Sequence, residues 1–342
     1  MVRTVCFGEI MLRLSPPGFE RLFQTPALHA SFGGGEANVA VSLAQFGLRS
    51  DYVTRVPGHA IGDAVVRALR AEGVGTSHVV RGGNRLGIYF TETGASQRAS
   101  TVIYDRAHSA ISEFPADAVK WDEVMAGAAW FHVTGITPAL GERAIDATKA
   151  AVAAARKVGA QVSVDLNYRK KLWTEAQAQA VMRPLMSSVD VVIANEEDLQ
   201  SVLGIHVSGA DVTSGTLNVD AYRDAAESVT RTLGPKLVAI TLRESLSASD
   251  NGWSAVLWDG DANVLHRSQH YAVRLVDRIG GGDSFAAGLI YGLVTGRSRD
   301  NALRFAVAAS ALKQTIPGDF NRVTVAEVDG LARGDASGRV QR

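Results

Sequence analysis

The chain has 342 residues, 46% of them apolar, and its 35 basic side chains balance 35 acidic ones for a formal charge of zero. That length suffices for one large α/β domain or two smaller ones, and the charge balance argues against a nucleic-acid or membrane-surface role. A single cysteine, Cys6, rules out an internal disulfide and fits a reducing cytoplasm, and no run of about 18 apolar residues offers a membrane span.

The apolar run Val2–Glu9 predicts a buried strand, entered without a basic leader that would predict export. Pro16, Pro17 and Pro26 exclude a helix from Leu12–Ser31, which reads as irregular. Helical spacing follows over Ala37–Phe46, closed by Gly47, and over Ile61–Ala71, closed by Gly73. Leu86–Glu92 and Ala99–Asp105 alternate like two short strands around Thr93–Ser96. From Ala128 the pattern becomes regular. Strands are expected at Ala128–Val133, Gln161–Asp165, Val189–Ala194 and Leu237–Leu242. Helices are expected at Gly141–Val158, Glu175–Met186, Glu196–Leu203 and Tyr222–Leu233. Such βα alternation predicts a mostly parallel sheet covered on both faces. His206–Asn218 reads as a surface insertion, and Trp253–Trp258 with Ala262–His266 as a hairpin. Ser284–Val294 and Asp300–Lys313 read as helices, and Ala332–Arg342 as a polar tail.

Glycine-rich turns precede two of these helices. In Asp277-Arg278-Ile279-Gly280-Gly281-Gly282-Asp283-Ser284-Phe285, bare backbone meets a helix start, where unpaired N–H groups favour an anion. An acid there has two readings. Asp283 takes a proton from a hydroxyl attacking a phosphate, or it is the N-cap of an ordinary turn. In Gly33-Gly34-Gly35-Glu36-Ala37-Asn38, either the amide of Asn38 offers a donor and an acceptor to a polyol, or the glycines form only a tight turn. The glycine spacing is wrong for a dinucleotide fingerprint.

Polar groups also gather at predicted strand ends. Tyr89, Tyr104 and Arg106 lie on or just after the two short strands, with Tyr104 and Arg106 on one face. Arg106 suits a carboxylate or phosphate, or it is an ordinary surface residue. Asp165–Trp173 places Arg169, Lys170 and Lys171 past a strand end, as an anion site or as a solvated basic loop. Asn195-Glu196-Glu197-Asp198 either acts on Mg2+ through water or steadies a helix N-terminus. His132 reads as a core residue. No Gly-Lys dipeptide, His-Glu-x-x-His, Gly-x-Ser-x-Gly or cysteine cluster appears, which excludes a Walker-A loop and the corresponding zinc and serine chemistries.

Taken together, Gly33–Ala40 and Asp277–Phe285, in this order and separation, resemble the ribokinase-like, or PfkB, family of carbohydrate kinases across residues 2–330. Leu86–Tyr89, Tyr104–Arg106, Gly135–Leu140, Asp165–Trp173 and Ala311–Asp319 point within it to members acting on 2-keto-3-deoxygluconate, with fructokinases and non-catalytic sugar sensors as alternatives. The resemblance implies a three-layer α/β/α sandwich as one domain over residues 1–330. A small β-sheet lid would come from segments 10–31 and 84–106, with a polar tail over 331–342. It implies a homodimer through the lid, or a higher oligomer built from it. It also implies a sugar-acid substrate phosphorylated from ATP with Mg2+, and Asp283 as general base beside an anion hole of Gly280, Gly281 and Gly282. Gly34, Gly35, Asn38, Tyr89, Tyr104, Arg106, Arg169 and Asp319 would contact the sugar acid. One of Arg106 and Arg169 would face its carboxylate and the other the phosphates. Asn195, Thr241, Arg243, Ser247, Gly280 and Gly282 would lie beside ATP. Asp277 would help hold a monovalent cation such as K+, and Asp198 would reach Mg2+ through water. Three departures from the family pattern stand out: Gly281 where alanine is usual, Asp198 where glutamate is usual, and a Thr241–Ser249 loop without its usual glycines.

Overall fold

Alternating apolar residues build a central sheet whose two faces are both buried. The computed structural model describes residues 2–207, 219–335 and 338, so most of the expected 206–218 insertion and of the C-terminal tail lies outside the described residues. In chain order the elements are β1 (Arg3–Phe7), β2 (Met11–Ser15), β3 (His29–Gly33), α1 (Gly35–Gln45), β4 (Arg49–Val56), α2 (Ala60–Ala71), β5 (Val79–Arg81), β6 (Gly87–Glu92) and β7 (Thr101–Asp105). There follow α3 (Trp121–Met125), β8 (Trp130–Thr134), α4 (Glu142–Lys157), β9 (Gln161–Asp165), α5 (Glu175–Leu185), β10 (Val191–Ala194), α6 (Glu196–Leu203) and α7 (Val219–Leu233). The chain closes with β11 (Leu237–Ser245), β12 (Asp250–Asp259), β13 (Val264–Arg267), β14 (Tyr271–Arg274), α8 (Gly281–Val294), α9 (Arg299–Lys313) and α10 (Val325–Ala332).

Among the described residues, ten strands form one sheet in the order β13-β12-β11-β10-β9-β8-β1-β4-β5, with β14 also paired to β12. Every pairing from β5 to β11 is parallel, and β12 and its neighbours run antiparallel at the edge. Successive strand residues feed opposite layers. Val5 and Phe7 pack with α4–α7 side chains such as Ala151, Met182, Val202 and Val229. Cys6 and Ile193 pack with Val39, Leu69, Leu289 and Leu303 from α1, α2, α8 and α9. The expected three-layer α/β/α architecture is present. No helix among the described residues is long and apolar enough to cross a membrane.

A separate four-stranded sheet has the order β3-β2-β6-β7. Its first two strands correct the irregular reading of Leu12–Ser31. The prolines exclude a helix, but they fall between β2 and β3, where neither ladder needs their missing N–H. The expected Ala37–Phe46, Gly141–Val158 and Ser284–Val294 helices appear with ends shifted by no more than three residues. Strands β4, β5 and β14 were not anticipated; β5 and β14 run for only three and four residues, too few to show a usable period.

Two glycines set how closely α9 approaches α8. A Cβ at Gly288 would lie 2.7 Å from Ala306 Cα, and one at Gly292 would lie 2.7 Å from Ala302 Cα. Only glycine allows this spacing, and it brings the C-terminal end of α9 directly under the loop that starts α8.

Candidate active site

The C-terminal ends of β8, β9 and β10 and the start of α8 border a cavity of about 970 Å³, roofed on one side by β6 and β7. Gly280 begins α8 with a left-handed φ of 81°, and a Cβ there would lie 2.2 Å from Asp319 O, so the turn requires glycine. Gly281 N donates to Arg278 O at 3.3 Å and Ser284 N to Gly280 O at 2.9 Å. Among the described residues nothing accepts from the amides of Gly282 and Asp283, and a Cβ at Gly282 would meet open space. Free donors at a helix start, open to a cavity, form an anion site.

The carbonyls of the same loop are held from below. Ser310 Oγ donates to Gly281 O at 2.7 Å, and Lys313 Nζ donates to Asp277 O at 3.2 Å and also to Ile279 O. The departure at Gly281 has a local cause: a methyl would lie 3.1 Å from Gln314 Cγ, so Gln314 fills the space that alanine would take. The loop is packed rather than loosened by the missing methyl.

Asp283, half-buried in the first turn of α8, does not cap its helix. Its Oδ2 accepts from Asn38 Nδ2 at 2.7 Å. Burial raises its pKa to about 6 against the Asn38 hydrogen bond; Asp319 adds to the rise, and Arg169 and Lys313 oppose it. A carboxylate ionised near neutrality beside free amides suits proton abstraction from a hydroxyl. Asn38 is not free to bind a polyol by both ends. Its Oδ1 also accepts from Gly34 N at 3.2 Å, so it ties the first glycine turn to the acid. Gly34 is extended at φ 172°, and a Cβ there would lie 2.0 Å from Glu9 O, while a Cβ at Gly35 would sit 3.2 Å from Thr134 Cγ2. Both glycines border the cavity for lack of room for anything larger.

The remaining expected residues separate into those with free chemistry and those already engaged. Tyr89 and Tyr104 are cross-strand partners with ring centroids 6.0 Å apart, and Tyr89 OH donates to Asp319 Oδ2 at 2.7 Å. Arg106 lies on the same face as Tyr104, its guanidinium 5.2 Å from that ring, but it is buried against Glu9, with Nε to Oε2 at 2.8 Å. Arg169 lines the cavity and donates to Tyr168 O at 2.9 Å, with no carboxylate partner among the described residues. Its neighbours Lys170 and Lys171 are exposed and do not line the cavity. Asn195 and Asp198 form a capping box on α6, Asp198 N to Asn195 Oδ1 at 2.8 Å and Asn195 N to Asp198 Oδ2 at 3.2 Å. Tyr168 N occupies the other carboxylate oxygen of Asp198 at 2.8 Å. Thr241 and Arg243 on β11 reach the cavity, whereas Ser247 does not. Its hydroxyl donates to Asp250 and receives the amides of Ser249 and Asp250, holding the β11–β12 turn instead. His132 is buried on Ser163 Oγ, its pKa pulled down to about 3 by burial, as a neutral core residue.

Several groups at the site have no role in the sequence analysis, and Arg13 lies outside every motif named there. Arg13 on β2 reaches Asp319 Oδ1 at 2.7 Å and Asp277 Oδ2 at 2.6 Å, all three side chains buried. Burial works against its charge, but Asp277 and Asp319 outweigh it and raise its pKa further. Glu36, buried, accepts from Thr134 N, Thr134 Oγ1 and Thr137 Oγ1 at 2.8, 2.8 and 2.6 Å, locking α1 to the end of β8; burial raises its pKa to about 7. Asp165 faces the cavity with its pKa well above the carboxylate range, from burial first and then from Asp198 and Asp283. Arg278 lines the cavity near Arg243; its pKa is lowered by burial and by Arg243, and its buried Nε has no partner. Two adjacent guanidiniums without a carboxylate are suited to an incoming polyanion.

Comparison with known proteins gives the same reading. The family model described as pfkB family carbohydrate kinase matches residues 1–321. A 2-dehydro-3-deoxygalactonokinase of Haloferax volcanii is 32% identical over 98% of this chain and 98% of its own. The crystal structure of 2-dehydro-3-deoxygluconokinase from Thermotoga maritima superimposes with a TM-score of 0.94 at 50% identity, covering 98% of this chain and 100% of that one. A pfkB family carbohydrate kinase from Listeria grayi follows at 0.88 and 32%, over 97% and 99%. With an anion loop, a poised carboxylate and matches that span nearly its full length, the chain belongs to the pfkB family of carbohydrate kinases.

Proposed function

We propose that this kinase transfers the γ-phosphoryl group of ATP to the C6 hydroxyl of 2-keto-3-deoxy-D-gluconate. The observation that carries the reading is the pair of free amides at Gly282 and Asp283 beside the Asp283 carboxylate. The hydroxyl gives its proton to Asp283 as its oxygen bonds to phosphorus and the bond to the leaving phosphate breaks. The amides receive the charge on the phosphoryl oxygens. Arg243 and Arg278 take the donor's phosphates, the work for which the Thr241–Ser249 loop lacks glycines.

No three acidic, histidine or cysteine side chains among the described residues gather closely enough to hold a metal by themselves. That fits Mg2+, which keeps much of its water and arrives with phosphates. Asp165 and Asp198 would hold it through that water; when bound it supplies charge neutralisation. Asp165 is destabilised as an anion by burial first and then by Asp198 and Asp283, and a cation relieves that.

A sugar acid is favoured over a neutral sugar by Arg169, which lines the cavity and makes no ion-pair contact with a carboxylate among the described residues. Arg106 is neutralised by Glu9 and is left to position Tyr104. The Thermotoga and Haloferax proteins are named for the two epimeric acids, and both lie within this proposal. Steady-state kcat/KM for 2-keto-3-deoxygluconate, 2-keto-3-deoxygalactonate and fructose tests it. Either acid should exceed fructose by on the order of 10²-fold or more, because a buried polar site left unpaired by the wrong substrate discriminates strongly. A fructose value equal to both acids removes the sugar-acid reading.

The small sheet serves in this proposal as a lid on a single kinase domain of residues 1–330, and two copies pair through it. Ile103 and Tyr104 on β7 are 50% and 40% exposed, apolar surface that a second copy would cover. Sedimentation velocity should show a dimer that Ile103→Lys weakens; a wild-type monomer at micromolar concentration ends the pairing idea.

A further inference from the structure

We infer that Lys313 is a tethered cation beneath the anion loop, occupying the place where many relatives use a monovalent metal ion, so that this kinase turns over without one. The inference rests on the kinase reading above. The donor set around Asp277 does not fit a potassium ion. One carboxylate oxygen, Oδ2, is taken by Arg13 at 2.6 Å and Gly318 N at 3.0 Å, and the other by Ile279 N at 3.1 Å. The nearby carbonyls that could coordinate a cation, Asp277 O and Ile279 O, both accept from Lys313 Nζ. The side chain is fully buried, and its Cε lies 3.3 Å from where a Cβ on Gly280 would be. Burial lowers the Lys313 pKa, and Asp277, Asp319 and Asp283 act to keep the ammonium charged against Arg13.

The consequence for the reaction follows from peptide geometry. In a trans peptide the carbonyl and the following N–H point in opposite directions. Lys313 draws the Ile279 carbonyl down, so the Gly280 N–H turns up toward the cavity. Ser310 draws down the Gly281 carbonyl, and the Gly282 N–H turns up in the same way. The end of α9 thus aims the loop's amides. An alkali ion could do the same by coordinating these carbonyls, but an ion must be bound from solution, whereas the lysine is always present. Lys313 is a positioning residue: it touches neither sugar nor phosphate and acts through the loop.

The test compares wild type, Lys313→Ala and Lys313→Met with ATP, Mg2+ and 2-keto-3-deoxygluconate at constant ionic strength in potassium, ammonium, sodium or tetramethylammonium chloride. Wild type should give the same kcat in all four. Lys313→Ala should lose kcat by on the order of 10²-fold in tetramethylammonium, with little change in KM for the sugar acid, as expected when anion-hole donors are misaimed. Potassium or ammonium should restore part of that loss with saturation, and neither should restore Lys313→Met, whose thioether fills the hole. A second readout does not depend on turnover: potassium should raise the Tm of Lys313→Ala and leave wild type unmoved. Several-fold activation of wild type by potassium overturns the inference, as does a Lys313→Ala enzyme with wild-type kcat in tetramethylammonium. If Lys313→Ala does not fold, the wild-type ion series decides alone. If no substrate turns over, the Tm series still decides whether Lys313 fills a cation site.

Discussion

Asp283→Asn is expected to fold normally and to lose kcat by about 10³–10⁴-fold with KM for the sugar acid nearly unchanged. Asparagine preserves the shape and can still accept from Asn38, but it cannot take a proton. The pH dependence gives the internal check. Because burial places the Asp283 pKa near 6, wild-type kcat/KM should fall tenfold per pH unit below that value, as the base becomes protonated. The residual activity of the variant should lack this limb. Stability gives a second check with a definite sign. A carboxyl whose pKa is raised on folding binds its proton more tightly in the native state, so its contribution to stability falls as pH rises from about 4 through about 6. Above that range the ionised acid opposes folding. The Tm of Asp283→Asn at alkaline pH should therefore be no lower than that of wild type. Near-wild-type turnover in the variant would sink the assignment of the base.

Arg13→Met should be the most destabilising single substitution near the cavity. Methionine matches much of the volume, but it leaves Asp277 and Asp319 buried without their shared cation. Removing one partner of such a pair costs about 3–5 kcal/mol, or a Tm lower by roughly 10 °C in a chain of this size. Activity should fall as well, since Asp277 holds Ile279 N and Gly318 N on either side of the anion loop. A triple variant that also replaces both acids by asparagine should recover part of the loss, because no unpaired charge remains. An Arg13→Met protein that melts with wild type would show that the two carboxylates do not depend on it.

The contrast between Asp283 and Arg13 also shows what a sequence alone can carry. The anion loop is local: its glycines, its acid and the helix they start occupy nine consecutive residues, so the chemistry is visible without a fold. The parallel sheet is legible for a similar reason, since each βα unit repeats its own apolar period. Arg13 has no local signature. Its partner Asp319 lies 306 residues away, and it sits in a five-residue strand that runs directly into Pro16 and Pro17. The pattern misleads there, because Arg13 and Met11 face the buried side while Leu12 and Leu14 are only partly covered. A charge on the inward face reads as irregular chain until its counter-ions are in view. Arg106 is the opposite case: its place at the cavity was anticipated, but its pairing with Glu9, 97 residues earlier, was not. Ser247 was placed at the nucleotide by resemblance, and the turn between β11 and β12 uses its hydroxyl.

In the proposed reaction, with Asp283 as the base, the buried groups beneath the loop would also set an electrostatic rhythm. Arg13 and Lys313 supply two positive charges to a neighbourhood shared with Asp277, Asp319 and Asp283. With Asp283 ionised, the floor of the cavity carries one negative charge in excess and is ready to attract a proton. Once the proton arrives, the floor is electroneutral. That neutral state coincides with the moment when a phosphoryl group, dense in negative charge, comes to rest against the amides above. The site therefore discharges itself as the anion lands, and it must shed that proton again before the next hydroxyl can be activated.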